Sequence, residues 1–93
     1  MMEFVFVVET PIRGRECRVR PGETVGREGC DHVLADPDVS RRHAAFRQVG
    51  TGLAVEDLGS TNGTFLNGSR VTERGVLASG DRLRFGNTVW LLE

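Results

Sequence analysis

The sequence predicts an all-β domain, a sandwich or barrel of about ten or eleven short strands. Two observations carry this. No window keeps the apolar period of about 3.6 residues that marks a helix. Instead, short runs alternate apolar and polar side chains, and Gly, Pro, Asn or Asp interrupts them every few positions. Length bounds the rest. A chain of 93 residues is one domain, and at this size only about 60–65% of the unfolded surface is buried, so nearly every apolar residue is committed to a single core.

Taken in order, Phe4–Val8 reads as the first strand, apolar on both faces and therefore central in its sheet. Glu16–Arg20 alternates, with Cys17 and Val19 inward and Arg18 and Arg20 outward, before a turn at Pro21-Gly22. Thr24–Gly26 and His32–Ala35 are short strands around the loop Arg27–Asp31. Beyond Asp36-Pro37-Asp38-Val39, the strand His43–Val49 sets Ala44 and Phe46 on one face. Gly50-Thr51-Gly52 reverses the chain into Leu53–Leu58. The loop Gly59–Gly63 leads to Thr64–Leu66, and Asn67-Gly68 is the signal of a type I′ hairpin, whose two central residues need positive φ. Val76-Leu77, Arg82–Phe85 and Thr88–Leu92 complete the series, with Gly86-Asn87 turning between the last two. There is no internal repeat or low-complexity stretch, so residues 1–93 are expected to form a single domain. The doubled Met at the start and Leu92-Glu93 at the end fit a module cut from a longer protein as well as a complete chain.

Charge excludes several function classes. The 12 basic residues are all Arg, and with 13 acidic residues the net charge is -1. A near-neutral balance argues against holding nucleic acid or an anionic membrane by bulk field. No apolar run approaches the ~18 residues of a membrane helix, so no membrane insertion is expected. The start of the chain is too short and too acidic for a signal peptide, which points to the cytoplasm. There Cys17 and Cys30 are expected to be reduced thiols, and the acceptor patterns at Asn62 and Asn67 read as turns instead of glycosylation sites.

Three loops concentrate groups suited to an anion. Gly26-Arg27 offers a guanidinium fork that matches a pair of phosphate oxygens and keeps its charge. Ser40-Arg41-Arg42-His43 adds a hydroxyl beside further guanidinium groups. Gly59-Ser60-Thr61-Asn62-Gly63-Thr64 is dense in short donors and in residues that accept positive φ. Each loop alone is a weak signal. In this order and spacing, the three loops, the following Phe65-Leu66-Asn67-Gly68 and the closing Gly80–Gly86 resemble the forkhead-associated (FHA) domain over nearly the whole chain, Phe4 to Leu92. The run Asp36–His43 is especially like its bacterial members.

The resemblance implies a sandwich of two twisted antiparallel sheets, about eleven strands in the SMAD/FHA architecture. It also implies a non-catalytic module that reads phosphothreonine peptides in Ser/Thr-kinase signalling. Carried over position by position, Arg27, Ser40 and Arg41 would contact the phosphate with Thr61 beside them, and Asn62 would hold the peptide backbone. Gly26, His43 and Gly63 would support the site, His43 as a buried brace between loop and strand. Arg42 falls at a variable position, and Ser60 is ambiguous. The partners implied are a Thr-phosphorylated protein, a Ser/Thr kinase or its substrates, and a monomer is expected. In this family the loop before the Ser helps read the residue three places after the phosphothreonine, so Asp36 and Asp38 are expected to disfavour an acid there. Glu28, Asp31, Asp36 and Asp38 outnumber Arg27, Arg41 and Arg42 nearby, so recognition would depend on geometry over bulk field.

Rival readings are weaker. Ser40 and His43 lie three apart, on opposite faces of a strand, with no third orienting group for nucleophilic catalysis. The loop Gly59–Thr64 lacks the Gly-Lys-Ser/Thr ending and following helix of a nucleotide-binding loop. Cys17, Cys30, His32 and His43 have no metal-ligand spacing, so no metal and no cofactor are expected. A phosphate-independent interaction or self-association module is the stronger alternative. The competent residues at every phosphate-contacting position argue against it.

Overall fold

The structure, a computed structural model, describes residues 2–93. Eleven strands follow one another: β1 (Phe4–Thr10), β2 (Glu16–Val19), β3 (Thr24–Gly26), β4 (His32–Val33), β5 (Ala44–Val49), β6 (Gly52–Asp57), β7 (Thr64–Leu66), β8 (Ser69–Arg70), β9 (Arg74–Val76), β10 (Arg82–Phe85) and β11 (Thr88–Leu92). They form two sheets, one ordered β2-β1-β11-β10-β7-β8 and the other β4-β3-β5-β6-β9. β1 sits between β2 and β11, the central place its two apolar faces predict. Asn67 (φ 50°) and Gly68 (φ 85°) turn β7 into β8 with both angles positive, as the I′ hairpin requires.

The sheets face each other across an aromatic core. Trp90 from β11 lies 5.5 Å from Phe6 and 5.4 Å from Phe85 between ring centroids, and its ring runs parallel to Phe46 of the other sheet at 6.4 Å. Offset and edge-on pairs of this kind add about 0.5–1.5 kcal/mol each beyond area burial. Val19, Val25, Leu53, Val55 and Leu83 fill the space around them, each at most 1% exposed.

Three details differ from the sequence reading. β3 and β4 pair in parallel, Val25 with His32 and Gly26 with Val33, so the second sheet is not wholly antiparallel. The connecting loop returns the chain to run in the same direction for just two residues, too short a strand to leave a pattern. The hairpin signal at Asn67-Gly68 implies a partner strand, but β8 carries no pattern of its own, because Ser69 and Arg70 are both exposed and show no apolar alternation. The strand read at Val76-Leu77 lies instead at Arg74–Val76, an edge where Val76 points outward and Leu77 turns into the core.

Candidate phosphate-binding site

The loops β3–β4, β4–β5 and β6–β7 meet at one end of the sandwich, where backbone approach is unusually close. A Cβ built on Gly26 would lie 2.1 Å from the Arg41 carbonyl oxygen and 2.8 Å from Cys30 Sγ. Only glycine fits, which explains its place beside Arg27. The approach is used: the Arg27 N–H donates to Ser40 O at 3.0 Å, and Arg27 Nε donates to Val39 O at 3.0 Å. The guanidinium is thereby aimed, while its two terminal nitrogens have no hydrogen-bond partner among the described residues.

His43 is fully buried and braces two loops at once. Its Nδ1 accepts the Ser40 N–H at 3.0 Å, so Nε2 carries the proton and donates to Gly63 O at 2.9 Å. The ring also stands edge-on to Phe85, 5.7 Å between centroids. The bond runs from the Ser40 main chain and not from its hydroxyl. Ser40 Oγ instead accepts the Thr61 N–H at 3.0 Å, which leaves the hydroxyl hydrogen available to donate. The two residues belong to a loop and not to a strand, so the opposite-face argument does not describe them. The conclusion that they make no nucleophile–base pair stands on the bond itself.

The β6–β7 loop is organised by a residue the sequence reading passed over. Asp57 Oδ2 accepts the N–H groups of Gly59 and Ser60, and its Oδ1 accepts the hydroxyls of Ser60 and Thr64. Ser60 Oγ in turn accepts the Gly63 N–H at 2.9 Å. Burial acts to raise the Asp57 pKa, but the hydroxyls of Ser60 and Thr64 and the Ser60 N–H outweigh it and hold the carboxyl below its ordinary value. Ser60 is therefore a structural member of the loop. The signal was present as Asp-x-x-Ser, a spacing at which a short side chain caps its own turn.

Asp36 also stands elsewhere than its loop position suggests. It is 8% exposed and accepts from the Asn87 N–H, the Thr88 hydroxyl and the Asp38 N–H, tying this loop to the β10–β11 hairpin. Burial again pushes its pKa upward, and these hydrogen bonds more than offset that, leaving it lowered. It does not face the site. Asp31 is likewise engaged elsewhere, accepting from the N–H and hydroxyl of Thr24. Of the two acids expected to repel an acidic peptide residue, Asp38 alone lines the site, its carboxylate 2.6 Å from Asn87 Nδ2.

All five predicted contact residues, Arg27, Ser40, Arg41, Thr61 and Asn62, line a single open depression of about 370 Å³. Arg42 is outside it, as its variable position implies. Gly26, His43 and Gly63 lie behind it, buried. Asn62 spends one amide hydrogen on Asp38 O at 2.9 Å and keeps its amide oxygen unpartnered among the described residues. Arg41 is exposed, with Nε 3.3 Å from Glu28 Oε1. The FHA domain family profile matches residues 23–86, which contain every one of these positions. The chain belongs to the FHA family.

Relatives and solved structures agree with that membership. The chain is 44% identical over 68 residues to the glycogen accumulation regulator GarA of Mycolicibacterium smegmatis, covering 72% of this chain and 42% of GarA. It thus spans less than half the length of that relative. An FHA domain solved in a structural and functional analysis of phosphothreonine-dependent FHA domain interactions superposes with a TM-score of 0.86 at 32% identity, over 98% of this chain and 95% of that one. The FHA domain of FhaA, complexed with the intracellular domain of Rv3910, gives 0.86 at 33% identity over 97% and 99%. No helix among the described residues is long and apolar enough to cross a membrane.

Proposed function

We propose that this FHA domain, residues 1–93, binds a phosphothreonine in an extended peptide and acts as a non-catalytic cytoplasmic adaptor for partners marked by Ser/Thr kinases. The observation that carries the reading is the convergence of Arg27, Ser40, Arg41, Thr61 and Asn62 on one depression with donors still unspent. A phosphothreonine brings about -1.5 to -2 charge and three acceptor oxygens. Arg27 supplies two terminal guanidinium nitrogens, Arg41 a second guanidinium, and Ser40 and Thr61 their hydroxyls. Each charge-assisted bond contributes about 1.5–3 kcal/mol. Asn62, next to Thr61, takes the peptide backbone through its free amide oxygen.

Asp38 at the rim disfavours a second acidic residue on the peptide flank that passes it. The preference for threonine over serine is supported by the likeness to domains studied for phosphothreonine-dependent interactions. Titration with phosphothreonine, phosphoserine and unphosphorylated forms of one peptide pool tests the reading. Binding is expected for the first alone or best, and equal binding of all three refutes it.

A further inference from the structure

A second surface adjoins the phosphate site and is chemically unlike it. Between β2 and β4, the terminal strands of the two sheets on this side, runs an open groove of about 980 Å³. Its walls set Ile12, Val33, Leu34 and Pro37 beside the charged Arg15 and Arg18, and Trp90 lies beneath its floor. Three large apolar side chains of the described residues are strongly exposed, and two of them are here, Ile12 at 76% and Val33 at 60%. β2 and β4 each pair on one side alone, so both bordering strands keep an unpaired backbone edge, the arrangement that accepts an added extended segment. The indole N–H of Trp90 is buried without a hydrogen-bond partner among the described residues.

The groove is continuous with the depression that holds the phosphate ligands. Pro37 lines both, with Asp36 on the groove side and Asp38 on the phosphate side. We propose that the groove holds an extended apolar segment of the same phosphorylated partner, so that one peptide crosses Pro37 with its phosphothreonine in the loops and an apolar flank along β2 and β4. This rests on the phosphothreonine reading above. The phosphate supplies the switch, and the apolar flank adds partner selection to the discrimination against acids that Asp38 gives at the rim.

The test uses three pools of phosphothreonine peptides. One is short; two are extended on either flank by about eight residues, long enough at ~3.3 Å per residue to run the groove, with apolar residues in one extension and polar residues in the other. Trp90 is the sole tryptophan, so its fluorescence reports the groove while total binding reports both sites. The apolar extension is expected to tighten binding about tenfold over the short pool, equivalent to ~1.4 kcal/mol, and to be the one pool that shifts Trp90 emission. Val33→Asp and Ile12→Asp, on side chains too exposed for the fold to depend on them, are expected to erase that gain and leave short-peptide binding unchanged. Val76→Asp, on the exposed valine of β9, is the control expected to change neither. Equal binding of all three pools, or a gain that survives both groove variants, overturns the groove proposal while leaving the phosphate reading intact. Tight groove binding by the apolar peptide without its phosphate also overturns it, because the groove would then serve an independent partner. Failure of the short phosphorylated pool overturns the phosphate reading and this proposal together.

Discussion

β5 and β6 are joined at one end by the turn Gly50-Thr51 and carry at the other the loops that form the candidate phosphate site. The two ends are built differently. At the turn, the one side-chain hydrogen bond among the described residues is exposed, Gln48 Nε2 to Gly50 O at 3.1 Å. At the site end, His43, Ser60 and Thr64 are buried; His43, Ser60 and Asp57 answer backbone groups from both loops, and the Thr64 hydroxyl donates to Asp57. A chain reversal needs no such support. Groups that must meet a phosphate need fixed positions, because a loop ordered only on binding subtracts its ordering cost from affinity. Buried polar groups are therefore concentrated where exposed donors have to be aimed.

The sharpest way to break this comparison is to separate aiming from contact. Arg27→Ala removes an exposed contact and leaves His43 and Asp57 in place. Affinity for a short phosphothreonine peptide is expected to fall by about 3 kcal/mol, on the order of 100-fold, while loss of the Arg27 Nε bond to Val39 O lowers stability by about 1 kcal/mol at most. Arg18→Ala, on the outward face of β2, is expected to leave short-peptide affinity as it was. If Arg27→Ala lowered stability as much as affinity, the arginine would belong to the frame and not to the contact set.

Asp57→Ala addresses the frame. It leaves two hydroxyls and two N–H groups without their shared acceptor, at an expected cost of about 2–3 kcal/mol in urea unfolding, and peptide affinity falls with it. Gln48→Ala, at the other end of the same strands, is expected to cost less than ~0.5 kcal/mol and to leave affinity alone. Similar losses for the two variants would mean that the ends do not differ.

The sequence made legible the residues that line the depression and the His43 brace behind them, and left the acids of the frame hidden. Arg27, Ser40, Arg41, Thr61 and Asn62 are polar residues between strands, where a phosphate site announces itself through residue type and spacing. Asp36 and Asp57 are read from sequence as surface acids, because nothing local reveals that a carboxylate will be buried against backbone N–H groups from elsewhere. Asp36 answers to Asn87 and Thr88, 51 and 52 residues away. For the fold, strands with an inward apolar face were visible, whereas β8 and β9 sit at sheet edges and owe their existence to the neighbour they pair with.

Acid should dismantle the frame ahead of the turn. Both Asp36 and Asp57 are held below the ordinary carboxylate range in the folded protein. A carboxyl with a lowered folded pKa stabilises fully above its unfolded value, near 3.9 for Asp, and that contribution disappears as pH falls through the folded value. Urea midpoints are therefore expected to be flat from neutral pH down to about pH 5 and to fall below about pH 4. Asp36→Asn and Asp57→Asn, lower at neutral pH, are expected to show a shallower acid limb. An unchanged limb in both variants would place the acid sensitivity elsewhere.

The smallest expected effect tests whether the site end is anchored throughout or only through its buried groups. Arg41 meets Glu28 at 3.3 Å, but both side chains are mostly exposed, 73% and 63%. Exposed pairs of this kind contribute about 0–1 kcal/mol and are screened by salt, so the pair aims Arg41 weakly and competes with an incoming phosphate. Glu28→Gln removes the competitor and keeps the shape. Short-peptide affinity is expected to rise about twofold to threefold at low salt, roughly 0.5 kcal/mol, and the gain should fade as ionic strength increases. A loss of affinity would show that Glu28 positions Arg41 for the phosphate, which would extend the aiming role from the buried residues to an exposed pair.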